Sequence, residues 1–239
     1  MRKQSPVLRR IVKVSAVVLG AGLVITACSS SPVKFGSAAI VGDQRISLAT
    51  LDSEVTNLSQ AVEQYKSTVQ LSQEQQTQQT LSWLIRFKVN EELARRAGIT
   101  VSNAQADTAL ATIYAAAKAS AEQQGIPNPS LDLILAANGI PPNLAHEVGR
   151  YQAIDDQFAK QANGGTEPTS TAAQAATAAK LTKARCQAAK ALNIQVNPQF
   201  GALDYSTFSV VLTPSGLSKA PVPAAPSPAA SKPVLTPPC

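Results

Sequence analysis

A short β-like run near the end of the chain constrains the fold more than any other feature. Apolar and polar residues alternate at strand spacing in NIQVNPQFGALD, residues 193–204, through Ile194, Val196 and Phe200. A single strand is unstable in water, because its backbone groups and its apolar face both need a partner. Since Pro198 lacks an N–H group, the strand must lie at an edge or end there.

The N-terminal part of the chain supplies a partner for this run. The sequence predicts a short strand at residues 39–41, a turn at 42–43 and a returning strand at 44–46. We expect this pair to lie beside residues 194–200. The first and last structured elements would then close a single domain.

Serine residues predict where the helices between these strands begin. Each cap precedes a stretch with apolar residues at helical spacing, and the caps are Ser47, Ser72, Ser102 and Ser130. The second and third are followed three residues later by Gln, which is the capping-box spacing. The predicted fold is therefore mainly α, closed by a small sheet made from N-terminal and C-terminal strands.

Two of the predicted helices have distinct apolar stripes. From residue 48 to residue 69, apolar side chains recur at spacings of three and four, so this face should pack on another helix. An Ala-rich helix at about 172–192 has a thin stripe, which would let a neighbouring helix approach closely.

The helix that begins after Ser72 changes character along its length. Its first turns, QEQQTQQT, are polar and are expected to lie in water. Its later half is apolar around most of its circumference, which is typical of a central helix. One stripe holds Trp83, Phe87 and Ala94, and the other holds Leu81, Ile85 and Val89. Either both stripes are core, the interpretation we favour, or the first lines an apolar groove.

The N-terminus has the pattern of an export signal. Five basic residues precede an apolar run at 14–25, which is too short to span a bilayer. Ile25-Thr26-Ala27-Cys28 resembles the lipobox of bacterial lipoproteins. The resemblance implies a signal peptide at 1–27, a tether at 28–37 and acyl chains such as palmitate on Cys28, on the extracytoplasmic face of the cell membrane. The alternatives are a secretory signal cut after Ala27 and an uncleaved anchor.

The charge balance gives no sign of a nucleic-acid partner. Of 21 Lys and Arg residues, five lie in the predicted signal, which leaves 16 against 15 Asp and Glu. No basic stripe with interleaved aromatic residues is present.

Two cysteines remain after Cys28. Cys186 and Cys239 are too few for a metal cluster and form no CxxC pair. Disulfides persist outside the cytoplasm, so the two either pair or stay free thiols.

Catalytic signatures are missing from the sequence. His146, the single histidine, has no matching nucleophile or second ligand nearby, and we expect it to face solvent. Asp155 and Asp156 are adjacent, and because adjacent helical residues point about 100° apart, both are expected to be surface charges. We predict no catalytic residue, no metal site and no cofactor.

The end of the chain differs in composition from the rest. Eight of the 16 prolines follow residue 213, separated by Ala, Ser and Lys. Such a segment cannot bury enough apolar surface to fold. We expect a folded domain at 38–212 and a disordered Pro/Ala-rich tail at 213–239.

Three stretches together resemble the SurA/PrsA family of extracytoplasmic folding factors. They are AAIVGDQRISLATLDSEV, LSWLIRFKVNEELARRAGITVSNAQADTAL and LAANGIPPNLAHEVGRYQAIDDQF. The closing run at 193–204 is similar to the returning strand of actinobacterial members. The resemblance covers about residues 38–204.

The resemblance implies a lipid-anchored chaperone, a holdase for unfolded exported polypeptides. Its candidate client-binding residues are Trp83, Phe87, Tyr114, Tyr151 and Phe158. Family members often insert a parvulin-type prolyl isomerase domain before the closing helix, but only residues 164–171 are available here, so we expect no isomerase activity. The alternative is a structural or adaptor envelope lipoprotein that binds one fixed partner.

Overall fold

The computed structural model describes residues 36–212 and 234–235. The predicted signal peptide, Cys28, most of the tether and most of the tail lie outside these residues. The elements run in the order β1 (Ser37–Val41), β2 (Gln44–Ser47), α1 (Leu48–Gln64), α2 (Gln73–Ala97), α3 (Asn103–Gln123), α4 (Leu131–Ala137), α5 (Ala145–Ala162), α6 (Thr171–Leu192), β3 (Gln195–Val196), β4 (Ala202–Asp204) and β5 (Ser209–Val211). The fold is mainly helical, as predicted, with two small antiparallel sheets.

The predicted helix starts are confirmed by side-chain caps. Each serine hydroxyl accepts a hydrogen bond from the backbone N–H three residues on, and these serines are Ser47, Ser72, Ser102 and Ser130. Both predicted capping boxes form, because the Gln side chain also accepts from the backbone N–H of the cap. Helix α2 ends at Gly98, which adopts the left-handed conformation.

The predicted closure by distant strands is also confirmed. The first sheet has the order β2-β1-β3, so β1 lies in the middle. Its residue Ala39 lies opposite Ile46 of β2 and Val196 of β3. Strand β3 stops before Pro198, which begins a short 3-10 turn, as its missing N–H requires.

Helix α2 lies at the centre of the molecule. Its residues Leu81 and Ile85 are fully buried in the main core, together with the inner face of β1. A second apolar cluster forms on another side of α2 around Phe87, Leu135 and Val148. Two apolar stripes on one helix thus reach two clusters, which is why α2 is apolar around most of its later half.

The secondary structure differs from the sequence predictions after α1 and after β3. The stripe at 48–69 outlasts its helix, because α1 ends at Gln64 and Val69 is buried from the turn beyond it. The sequence did not predict the second sheet, the hairpin of β4 and β5, in which Leu203 lies opposite Val210.

Candidate functional site

An open groove of about 420 Å³ runs beside the N-terminal half of α2. Helix α2 forms one side, and the C-terminal end of α4 and strand β5 form the other. We call it the α2 groove, and its lining residues are Gln75, Gln78, Gln79, Ser82, Trp83, Arg86, Ala137, Asn138, Ser209 and Val210. Its volume is that of a typical ligand site.

Trp83 is the aromatic residue of the groove. Its ring packs on Phe87 at 5.7 Å and edge-on against Tyr151 at 6.0 Å between centroids. The indole N–H donates to the carbonyl oxygen of Asn138 at 3.3 Å, which ties α2 to the end of α4. The ring is therefore held in place while part of it still faces the groove.

Arg86 connects α2 to the hairpin. Its guanidinium donates to the carbonyl oxygens of Phe208 at 3.1 Å and Thr207 at 2.9 Å, and to the hydroxyl oxygen of Ser209 at 2.9 Å. Its carbon Cζ lies 4.8 Å from the centre of the Trp83 ring, which is cation–π distance. Burial lowers the pKa of Arg86.

The turn that Arg86 holds is strained. Phe208 has a φ of 51°, a left-handed conformation that is costly for a bulky residue. Strain of this kind persists only where surrounding contacts maintain it. The bonds from Arg86 to both neighbouring carbonyls supply such contacts.

Ser82 of α2 bonds to strand β5 on the same side of the groove as Arg86. Its hydroxyl accepts from the backbone N–H of Val210 at 2.7 Å and donates to the carbonyl of Gln78 at 2.6 Å. Both Ser82 and Val210 are buried. A buried backbone N–H needs a partner, so Ser82 sets how close β5 lies to α2.

The glutamine-rich first turns of α2 are more buried than predicted. Gln76 and Thr80 are buried, so the expectation that the whole QEQQTQQT segment lies in water is wrong. Gln76 donates to the carbonyl of Leu71, and a Cβ at Gly139 would overlap the Gln79 amide. These residues face the rest of the molecule because α4 and β5 pack against this end of α2.

One groove side chain has a donor that is not used. Among the described residues, the Nε2 group of Gln78 has no hydrogen-bond partner although it is buried. An amide donor left unpaired in this way is costly, and because the atom has almost no accessible surface, it belongs to the wall of the groove and does not face a ligand.

The five aromatic candidates do not form one surface. Trp83, Phe87 and Tyr151 lie together, although Phe87 is buried as a core side chain. Tyr114 lies elsewhere and donates to the carbonyl of Pro129 at 3.0 Å, and Phe158 packs against the main core. Sequence spacing could place each residue on its own helix but not these helices against one another.

Asp155 is a correction to the sequence analysis. It is largely buried and forms an ion pair with Arg185 of α6, whereas we expected a surface charge. Burial raises its pKa, and the Arg185 charge opposes this effect. Arg185 also stacks on Tyr151, at 4.8 Å from the ring centre. The pair joins α5 to α6 and is structural.

Cys186 is buried in α6 and disulfide-bonded. The two other cysteines, Cys28 and Cys239, lie outside the described residues. The pairing of Cys186 with Cys239 and the lipid on Cys28 stay predictions.

Part of the predicted disordered tail contacts the domain. Val234 accepts a hydrogen bond from the backbone N–H of Tyr205 at 2.7 Å and donates to the carboxylate of Asp204 at 3.0 Å. The tail therefore does not lack contacts at this point. Its other residues lie outside the described part of the chain, apart from Leu235, which is exposed.

Metal-binding and membrane-spanning features are the next kinds of site to consider in the described residues. Within 36–212 and 234–235, no group of His, Cys, Asp or Glu could hold a metal ion. In the same residues, no helix combines the length and the apolar character needed to cross a membrane. His146 lies 3.2 Å from Asp107, and both side chains are exposed to solvent.

The family model of the SurA-like N-terminal domain matches residues 1–142, which is more than half of the chain. The chain belongs to this family. The SurA-like N-terminal domain is a chaperone-type domain rather than a catalytic one. No curated protein and no solved structure matches the chain. The match includes α2 and α4, whereas the hairpin that completes the α2 groove lies beyond residue 142.

Proposed function

We propose that this SurA-like protein is a lipid-anchored holdase that binds unfolded exported polypeptides in the α2 groove and has no prolyl isomerase activity. The observation that carries the proposal is a groove, lined mostly by residues of the chaperone-type domain, that joins a partly exposed tryptophan to amide donors and acceptors. Unfolded chains present apolar side chains and unpaired backbone groups. Such a groove can bind both without reading a particular sequence.

The chemistry of the groove fits a peptide better than a compact polar ligand. The Trp83 ring offers an apolar and stacking surface. The exposed Gln75 side chain at the open end of α2 can hydrogen-bond to the backbone of a peptide. The three bonds of Arg86 go to uncharged oxygens of the hairpin, which leaves its positive charge beside the groove.

The proposed location follows from the N-terminal sequence. Cys28 ends a lipobox-like pattern, and two or more acyl chains give stable attachment to a membrane surface. The Cys28→Ser variant should partition into the aqueous phase in detergent phase separation, whereas the unchanged protein should partition into the detergent phase. Retention of the variant with detergent would contradict the lipid anchor.

The absence of isomerase activity is proposed from the connection between α5 and α6. Residues 163–170 join the two helices, and an independent domain needs at least about 40 residues. A protease-coupled assay on a proline peptide should give the uncatalysed rate.

A matched pair of charge variants tests the groove. Gln75 and Gln105 occupy the same capping-box position on α2 and α3, and only Gln75 lines the α2 groove. Glutamate can replace glutamine in a capping box, so both variants should fold. Suppression of aggregation of a chemically denatured client is followed by light scattering. We expect Gln75→Glu to weaken suppression and Gln105→Glu to leave it unchanged.

Two results would count against the proposal. Equal effects of the two variants would show that clients bind elsewhere. Absence of any suppression by the unchanged protein, together with capture of one fixed partner in the native envelope, would favour the adaptor function instead.

A further inference from the structure

The C-terminal end of β4 binds a segment of the chain's own tail through backbone groups. The N–H of Tyr205 donates to the carbonyl of Val234 at 2.7 Å, and the N–H of Val234 donates to Asp204 Oδ1 at 3.0 Å. Both backbone groups of Val234 are thus bonded. We call Asp204 and Tyr205 the β4 corner.

The carboxylate of Asp204 is also held by hydrogen bonds from within the hairpin. Its Oδ1 atom also accepts from the backbone N–H of Ser206 at 2.9 Å and from the Ser206 hydroxyl at 2.7 Å. Burial acts to raise the pKa of Asp204, but these bonds and the one from Val234 outweigh it, so the pKa lies below its ordinary value. The carboxylate is therefore ionised and fixed in direction at neutral pH.

The β4 corner binds Val234 through backbone groups more than through the Val234 side chain. Val234 is only partly buried, and Leu235 is 47% exposed. Bonds to N–H and C=O groups are available in any extended polypeptide except where proline removes the donor. Asp204 and Tyr205 are themselves buried, so an extended segment can pair with these backbone-binding groups only at the place that Val234 occupies.

We propose that the β4 corner is a second polypeptide-binding site, which takes an extended segment of an unfolded client in competition with the chain's own residue Val234. This inference rests on the proposed holdase function and adds to it a backbone-reading site beside the hairpin. The tail acts as a tethered competitor, because its attachment to the domain gives it a high effective concentration at the corner.

The test uses full-length variants and a peptide copy of the tail. Val234→Pro removes the N–H that bonds to Asp204, and Leu235→Pro is the matched control, since the Leu235 N–H makes no hydrogen bond to any residue that the structure describes. The probe is an end-capped fluorescent peptide with the sequence of residues 231–238, SKPVLTPP. A second probe carries an N-methyl group on its valine nitrogen.

We expect Val234→Pro to bind the first peptide at least about tenfold more tightly than the unchanged protein or Leu235→Pro, because its own tail competes less. N-methylation of the peptide should reduce this binding by about tenfold, the loss expected for a bond to a charged group. Hydrogen exchange at the Tyr205 amide should be faster in Val234→Pro and should slow again when the first peptide is added.

Equal affinities for all three proteins, or for both peptides, would overturn the proposal. Unchanged exchange at Tyr205 on adding the peptide would overturn it as well. The result is separable from the holdase function. Peptide binding without suppression of client aggregation would support the β4 corner as a binding site and contradict the holdase function. Suppression of aggregation without peptide binding would contradict only the binding site at the β4 corner.

Discussion

The two small sheets are attached to the molecule in different ways. In the first sheet, β1 pairs with strands on both sides, and Ala38, Ala39 and Val41 are almost completely buried in the main core. In the second, Leu203 and Val210 are buried in the same core, but β4 and β5 are joined by a short strained turn and also depend on polar contacts from Ser82 and Arg86 of α2. The first sheet closes the domain, whereas the second completes the groove.

Closure of the domain and formation of the groove therefore depend to different degrees on apolar burial and on polar contacts. Burial of apolar side chains resists local opening, so the first sheet should open only with the whole domain. The strands of the hairpin bury fewer apolar side chains in that core and depend in part on the bonds from Arg86, so the hairpin should open more readily than the first sheet. A binding groove bordered by a hairpin of this kind can adapt to clients while the core stays closed.

Removing the closing strand should have the largest effect. Deletion of residues 194–239 takes away β3, and β1 loses the partner of Ala39 and Ile40. We expect no cooperative thermal transition by circular dichroism. Deletion of 214–239 should keep the transition, with a loss of stability because Val234 no longer bonds to Asp204 and because the predicted disulfide between Cys186 and Cys239 is removed. A cooperative melt in the shorter protein would contradict closure by the first sheet.

A glycine in the hairpin should be the next most sensitive position. Gly201 has a φ of 112°, and a Cβ there would overlap the carbonyl oxygen of Val211. We expect Gly201→Ala to lower the free energy of unfolding by about 3 kcal/mol, from strain and steric overlap together. Denaturant unfolding measures this. A loss below about 1 kcal/mol would mean that the hairpin shifts freely on α2.

Replacing Arg86 should detach the hairpin without opening the domain. Arg86→Leu leaves two carbonyl oxygens of the turn without their donor. We expect a loss of about 2 kcal/mol and faster hydrogen exchange at Val210. Exchange at Ala39 and Ile40 in the first sheet should follow global unfolding as before. Parallel changes in both sheets would contradict the difference between them.

The smallest effect on stability is expected from Glu92, a charged residue of α2 that lies outside the groove, and it serves as a reference for the other variants. Hydrogen bonds from Arg95, and then from Arg96, lower the pKa of Glu92 to about 2. This value lies below that of the unfolded chain, so the stabilisation is full above about pH 5 and is lost as the pH falls toward 2. Since both arginines are exposed, it should be at most about 1 kcal/mol.

The variant that tests this charge is Glu92→Gln. Its difference in stability from the unchanged protein should disappear in acid, and at pH 7 exchange in the first sheet should rise only by the factor that corresponds to the small loss of global stability. A difference that persists at pH 2 would show that packing and not charge is responsible.

Local signals explain what the sequence could predict. Serine caps and capping boxes depend on residues three apart, and the alternation around Val196 required a partner that only the N-terminal strands offered. The hairpin lacked such signals. Its strands are three residues long, no Asn-Gly or Asp-Gly marks the turn, and Phe208 adopts a conformation held by a distant arginine.

The same reasoning applies to the site. Trp83 could be singled out from its size and its stripe, but its groove depends on α4 and β5, which are brought to α2 only by the fold. The burial of Gln76 and the Asp155–Arg185 pair are likewise tertiary effects. No periodicity of a single helix indicates them.

Trp83 permits the most direct test of the central claim, because it is the single tryptophan of the chain and lines the α2 groove. The measurement is a titration of its fluorescence with reduced, carboxymethylated ribonuclease A, an unfolded polypeptide without tryptophan. We expect a saturable shift of the Trp83 emission to shorter wavelength. Gln75→Glu should weaken this shift, and Gln105→Glu should leave it unchanged. Suppression of client aggregation with no change in Trp83 emission would contradict the α2 groove as the binding site.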